Sequence, residues 1–171
     1  MRNAMLGAIA GVMATVAMTS AMRRMQPLLP DRDRYPLPPR QIMEQVGEAT
    51  ETGQAMPEPA RRTTTLLSHF AFGAAAGSLF AAWRPRGGVR AGAGYGALVW
   101  AVSYLGWIPA ARILRPATDH PIRRNLLMLA AHLVWGTALA HSLHDLDRAE
   151  ADIFRDGPRL DARSKPPLQR C

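Results

Sequence analysis

Residues 63–83 read TTTLLSHFAFGAAAGSLFAAW, 21 residues without a charged side chain, with Arg61 and Arg62 before them and Arg84 after. As a helix such a run is about 30 Å long, the thickness of a bilayer's hydrocarbon core. A soluble helix of that length would carry polar residues along its outer face. Trp83 ends the run where an interfacial aromatic belongs. Three more windows have the same character: 3–22 (NAMLGAIAGVMATVAMTSAM), 91–111 (AGAGYGALVWAVSYLGWIPAA) and 125–144 (NLLMLAAHLVWGTALAHSLH). All 21 Lys and Arg and all 13 Asp and Glu lie outside the four windows, mostly flanking them. This pattern predicts an all-α integral membrane bundle of four transmembrane helices, occupying residues 1–155. Residues 23–62 form a long loop, and the polar, Pro-containing segment 156–171 reads as a disordered tail.

Composition removes other classes. A single cysteine, Cys171, excludes a disulfide scaffold and any Cys-based zinc or iron–sulfur site. Aromatics at 6% are too few for a base-stacking platform, so no nucleic-acid partner is expected. The net charge of +8 sits beside apolar windows, which points to a bilayer with anionic headgroups. The first window could be a secretory signal, but Arg23 and Arg24 directly after it favour a retained anchor. Basic residues divide almost evenly between the two faces, eleven against ten, so orientation does not follow from charge.

Glycines support helix packing in lipid. Nine of the 14 fall inside the windows, and Gly7/Gly11, Gly73/Gly77 and Gly92/Gly96 are each spaced by four. That spacing puts each pair on one helix face and lets two backbones approach, within one chain or between copies in a homo-oligomer. The windows also match in pairs. Gly7 to Gly11 resembles Gly92 to Gly96, and His69-Phe-Ala-Phe72-Gly73 resembles His132-Leu-Val-Trp135-Gly136. The order is the same in each half, which suggests two duplicated helical hairpins. Within the long loop, Tyr35-Pro-Leu-Pro-Pro-Arg40 reads as extended or turn-like. A short amphipathic helix follows from Arg40 to about Ala49, with Ile42, Met43, Val46 and Ala49 on one face; it could lie on the membrane, cap the bundle, or sit solvated. Pro109 should end or kink the third span. The fourth should continue as an amphipathic helix to about Arg155, before Gly157-Pro158.

Chemistry-bearing residues are few. His69 and His132 lie six and seven residues past Thr63 and Asn125, at a matched depth of about 10 Å below the face that bears the long loop. An ionisable group inside the membrane is a functional-site hypothesis. The pair could ligate haem b, ligate a metal, respond to protons, or only make an interhelical hydrogen bond. Cofactor binding is therefore assigned to His69 and His132 as an alternative, with no cofactor and no metal as the primary expectation. Thr19, Ser103, Tyr104 and Trp107 gather towards the same face as a candidate polar cluster. Asp119-His120-Pro121 could be an acid–base dyad or a turn. His141 and His144 read as interfacial. No GxSxG, P-loop, HExxH or GxGxxG pattern is present, no catalytic residue is assigned, and the chain reads as a non-enzyme more readily than as an enzyme.

GAIAGVMAT in the first window, YPLPPR in the loop and HLVWG in the last window together resemble the YagU-like inner-membrane proteins. That resemblance implies a multi-pass helical bundle in a bacterial inner membrane, of unknown activity, structural or regulatory, with a link to acid stress. It implies no catalytic residues. The chain lacks the paired loop cysteines associated with one such protein.

Overall fold

A computed structural model describes residues 1–36, 38–49, 56–83 and 88–155. The expected tail 156–171 and the Arg84–Gly87 part of the second turn lie outside these. The elements are α1 (Arg2–Met25), α2 (Pro38–Ala49), α3 (Glu58–Trp83), α4 (Gly88–Ala101), a π-helical segment (Val102–Trp107), α5 (Ile108–Ala110) and α6 (Ile122–Ile153), with single 3₁₀ turns at Gln26–Leu28, Asp31–Asp33 and Ala117–Asp119. The fold is all-helical, without strands among the described residues. Three helices, α1, α3 and α6, are long and apolar enough to cross a membrane.

The third window is the exception. It folds as α4, the π segment and the single turn α5, so its unbroken α-helix has 14 residues, about 21 Å. Pro109 is the cause, but the break falls three residues earlier, at Gly106 (φ −111°, ψ −106°). Proline offers no N–H to the carbonyl four residues back, and its ring crowds that carbonyl. Glycine next to it absorbs the distortion at the least steric cost. α2 begins two residues before the expected start because Pro38 and Pro39 fit a first helical turn, where an N–H has no partner anyway. α6 ends at Ile153, within two residues of expectation.

The glycine faces are where backbones meet. A Cβ on Gly11 would lie 2.2 Å from Gly73 O, and one on Gly77 would lie 2.3 Å from Gly7 O, so α1 and α3 pack antiparallel at backbone distance. α4 and α6 do the same: a Cβ on Gly92 would lie 2.2 Å from Gly136 O and one on Gly96 2.1 Å from His132 O. The glycine faces expected for docking, within the chain or between copies, are thus covered inside one chain. Measured against the matched motifs, the second interface is slid by about one helical turn: Gly11 meets Gly73, whereas Gly96 meets His132.

α1 and α6 join the two pairs. Trp135 Nε1 donates to Thr15 Oγ1 at 3.2 Å, and Thr15 Oγ1 donates to Gly11 O at 2.8 Å. Arg2 reaches Glu150 at 3.2 Å, so the start of α1 and the end of α6 lie at one end of the bundle. α3 and α4 are tied by the Tyr95 hydroxyl, which donates to Ala76 O at 2.8 Å, and by the Phe80–Tyr95 ring pair. Small residues such as Ala10, Ala14, Ala81 and Ala131 fill the core, while Met5, Val16, Leu67, Leu79, Leu98 and Leu126 lie on the outside. Small residues at helix contacts with apolar side chains facing outward suit helices in lipid, and Met18, Met22, Phe80, Trp135 and Leu139 are buried beside them.

Candidate functional site

The two helix pairs separate below α2 and leave a cavity of about 260 Å³. α1 contributes Thr15, Met18 and Met22; α3 contributes Ser68, His69, Phe72 and Gly73; α4 and the π segment contribute Val99, Ser103, Tyr104 and Trp107; α6 contributes Met128, His132 and Trp135. Pro38, Pro39, Ile42 and Met43 of α2 complete the wall. The amphipathic helix of the long loop therefore caps the bundle. Its apolar face is narrower than its sequence implies, since Val46 is exposed.

Both membrane histidines stand on this wall. His132 is buried, and its Nδ1 lies 2.7 Å from Met128 O, one turn back in its own helix. A carbonyl only accepts, so Nδ1 carries the proton and Nε2 keeps a free lone pair. The expected interhelical bond is thus replaced by one within α6. Tyr104 sits edge-on to this ring, with centroids 6.0 Å apart. His69 is half-buried, edge-on to Phe70, and its Nε2 is buried without a hydrogen-bond partner. Of the candidate polar cluster, Ser103, Tyr104 and Trp107 reach the cavity. Thr19 does not line it; its hydroxyl donates to Thr15 O at 2.7 Å. The π segment matters here, because its widened turn carries Ser103, Tyr104 and Trp107 together, and π-bulges recur at functional sites.

A second cluster holds the roof in place. Arg124 reads in the sequence as one more flanking charge, but it is 3% exposed. Its guanidinium donates to the carbonyls of Asp33 (3.4 Å), Tyr35 (3.1 Å) and Pro36 (2.6 Å) and lies 3.5 Å over the Tyr35 ring. The planar fork of Arg suits several carbonyls and an aromatic face at once. The Tyr35 hydroxyl and His120 Nδ1 are hydrogen-bonded at 2.7 Å. His120 thus partners the loop rather than Asp119, whose Oδ1 accepts from Thr118. Burial lowers the His120 pKa below its ordinary value, and the nearby Arg124 adds to this. Burial raises that of Tyr35. Buried position and three carbonyl partners are invisible in one sequence, so nothing there singles Arg124 out from Arg123. The other two histidines stand apart: both are exposed, and His141 lies 3.7 Å from Asp145.

Among the described residues no group of three or more His, Cys, Asp or Glu could hold a metal ion. No curated protein and no solved structure matches the chain significantly. The profile of a family of proteins of unknown function, DUF1440, matches residues 9–141, which takes in the cavity, Arg124 and the interface glycines other than Gly7. The chain belongs to the DUF1440 family, whose function is not known.

Proposed function

We propose that this chain is a non-enzymatic, regulatory bundle of a bacterial inner membrane, with four spans in two duplicated hairpins and a ligand pocket closed by α2. The observation that carries the reading is the cavity itself: all the long helices line it, and its roof belongs to the segment that Arg124 clamps. Whatever fills the cavity touches Ile42 and Met43, so occupancy is transmitted to the loop outside the bilayer. The four-span reading is supported by the antiparallel α1 and α6. Arg2 and Glu150 share one end, which an even number of crossings produces and three crossings do not. Residues 88–110 then form the fourth crossing despite their break, the freed backbone groups being buried in protein. Arginines at the helix ends, among them Arg23 and Arg24, face anionic headgroups. A homo-oligomer, if formed, docks through faces other than the glycine stripes.

The test uses Ile42→Cys in a Cys171→Ser background, in native membranes. A membrane-impermeant maleimide should react slowly with Cys at position 42, and quickly once Arg124→Ala is added. Equally fast reaction in both overturns the reading of α2 as a roof.

The second reading is haem binding through His69 and His132. It is favoured by the free Nε2 that the Met128 bond leaves on His132. Among the described residues no Lys or Arg lines the cavity to meet haem propionates, and at about 260 Å³ the space is below the roughly 300–1,000 Å³ of drug-sized sites. A Soret band in the purified protein, lost in both His69→Ala and His132→Ala, would establish this reading instead. The acid-stress link that the YagU-like resemblance implies is carried in this proposal by His120 and Tyr35.

A further inference from the structure

Resting on the reading of the cavity as a pocket, we infer that its ligand is a neutral ring hydroxyl on a hydrocarbon tail, a phenol or quinol dissolved in the bilayer. Four observations converge on this class.

The first is charge. Among the described residues, no Asp, Glu, Lys or Arg lines the cavity. A phosphate, carboxylate or ammonium head would enter unpaired, at a cost no burial of hydrocarbon offsets. Phospholipids, fatty acids and haem propionates are disfavoured together.

The second is hydrogen bonding. His132 Nε2 is an acceptor by its fixed tautomer, and His69 Nε2 is a buried nitrogen without a partner. A buried polar atom without a partner inside the protein can accept one from a ligand. An acceptor asks for an O–H, so a hydroxyl head suits the site better than a carbonyl. Of the wall hydroxyls, Thr15 donates to Gly11 O and Thr65 to Arg61 O, while those of Ser68, Ser103 and Tyr104 can donate to the oxygen of the same hydroxyl head.

The third is shape. Phe72, Tyr104, Trp107 and Trp135 line the same cavity as the two imidazoles, Tyr104 edge-on to His132. Aromatic walls favour a flat ring through offset or edge-on packing. About 260 Å³ accommodates one substituted ring and excludes a pair of acyl chains.

The fourth is access. Ser68, Phe72 (47% exposed) and Trp107 (43% exposed) belong both to the cavity wall and to the outer surface. α3 and α4 are tied at Tyr95 and Ala76, away from α2. The mouth between them opens sideways to the bilayer, where a hydrocarbon tail can remain while the ring enters. The unbranched side chains of Met18, Met22, Met43 and Met128 can adapt the wall to ring substituents.

The test is binding to the full chain in lipid nanodiscs, read by tryptophan fluorescence and thermal shift. The probes are 4-decylphenol, decylubiquinol, decylubiquinone, n-decanol and decanoate. The phenol and the quinol should bind saturably, about tenfold tighter than decanol and the quinone, with decanoate weakest. His69→Leu and His132→Leu should each weaken the phenol by about tenfold, the worth of one hydrogen bond, and leave the quinone, which has no O–H to donate, unchanged. Should either variant misfold, Ser68→Trp, at an exposed position in the mouth, should block the phenol without altering the unfolding midpoint. Equal affinity for phenol, decanol and decanoate overturns the ligand class and leaves the pocket standing. Saturable binding of no probe, together with unrestricted labelling of Cys at position 42, overturns the pocket as well.

Discussion

Substituting Gly136 by Ala inserts one methyl group where α4 and α6 touch backbone to backbone. The new Cβ would stand 2.0 Å from Gly92 O, 2.8 Å from Gly92 C and 2.9 Å from Gly96 N. Cβ contacts under 3.0 Å are essentially never seen, so the helices must part by about 1 Å. None of the three atoms belongs to a flexible side chain, and no rotamer change relieves the clash. A gap of 0.5–1 Å forfeits roughly a quarter to a half of each dispersion contact along the interface. Overpacking of this kind costs typically 1–3 kcal/mol and occasionally more. Alanine gains up to about 1 kcal/mol of helix propensity over glycine. Three contacts under 3.0 Å on rigid backbone put the overpacking at the upper end, about 3 kcal/mol, so the balance for Gly136→Ala is a net loss of about 2 kcal/mol. Gly94→Ala is the control: a Cβ there meets nothing within 4 Å, so only the propensity gain remains. Unfolding of both variants in mixed micelles, followed by circular dichroism, measures the difference. A Gly136→Ala protein within 0.5 kcal/mol of the parent, or a Gly94→Ala protein equally destabilised, would refute the packing described for α4 on α6.

Three further outcomes are expected. Arg124→Lys keeps the charge but loses the fork, so hydrogen exchange in residues 31–49 should accelerate at least tenfold, about 1.4 kcal/mol of docking; unchanged exchange would show that the guanidinium does not hold the roof. The His120 pKa is lowered from 6.5, so the docked loop favours neutral imidazole. That contribution is complete above about pH 6.5 and is lost as pH falls through the lowered value. Protection of residues 34–36 should therefore drop on acidification and become pH-independent in His120→Gln; a flat profile from pH 8 to 5 contradicts this. Thr15→Val removes the acceptor for the buried Trp135 Nε1 and should destabilise the bundle by about 1–3 kcal/mol, whereas Thr15→Ser should stay near the parent in thermal unfolding.

The chain's α-helical class and its apolar windows were determined locally. Charge-free runs about 30 Å long are dictated by composition and by the need to satisfy backbone groups within each segment. The glycine spacing announced close helix contacts for a similarly local reason: residues four apart share a face whatever the partner. The partner was decided only by tertiary structure. Gly11 lies against Gly73, Gly96 lies against His132, and the one-turn slide between the two pairs depends on how neighbouring side chains interlock. His69 and His132 were visible because an imidazole inside an apolar run is rare. The cavity between them was not, since it arises where the two pairs diverge and α2 closes over the gap. The break at Gly106 was foreshadowed by Pro109, yet its π geometry, and the placing of Ser103, Tyr104 and Trp107 on the cavity wall, show only in the fold. Arg124 marks the limit of the linear reading. Beside Arg123 it is one of two identical flanking residues, and only the return of residues 33–36 across the start of α6 surrounds one of them with carbonyls and an aromatic ring.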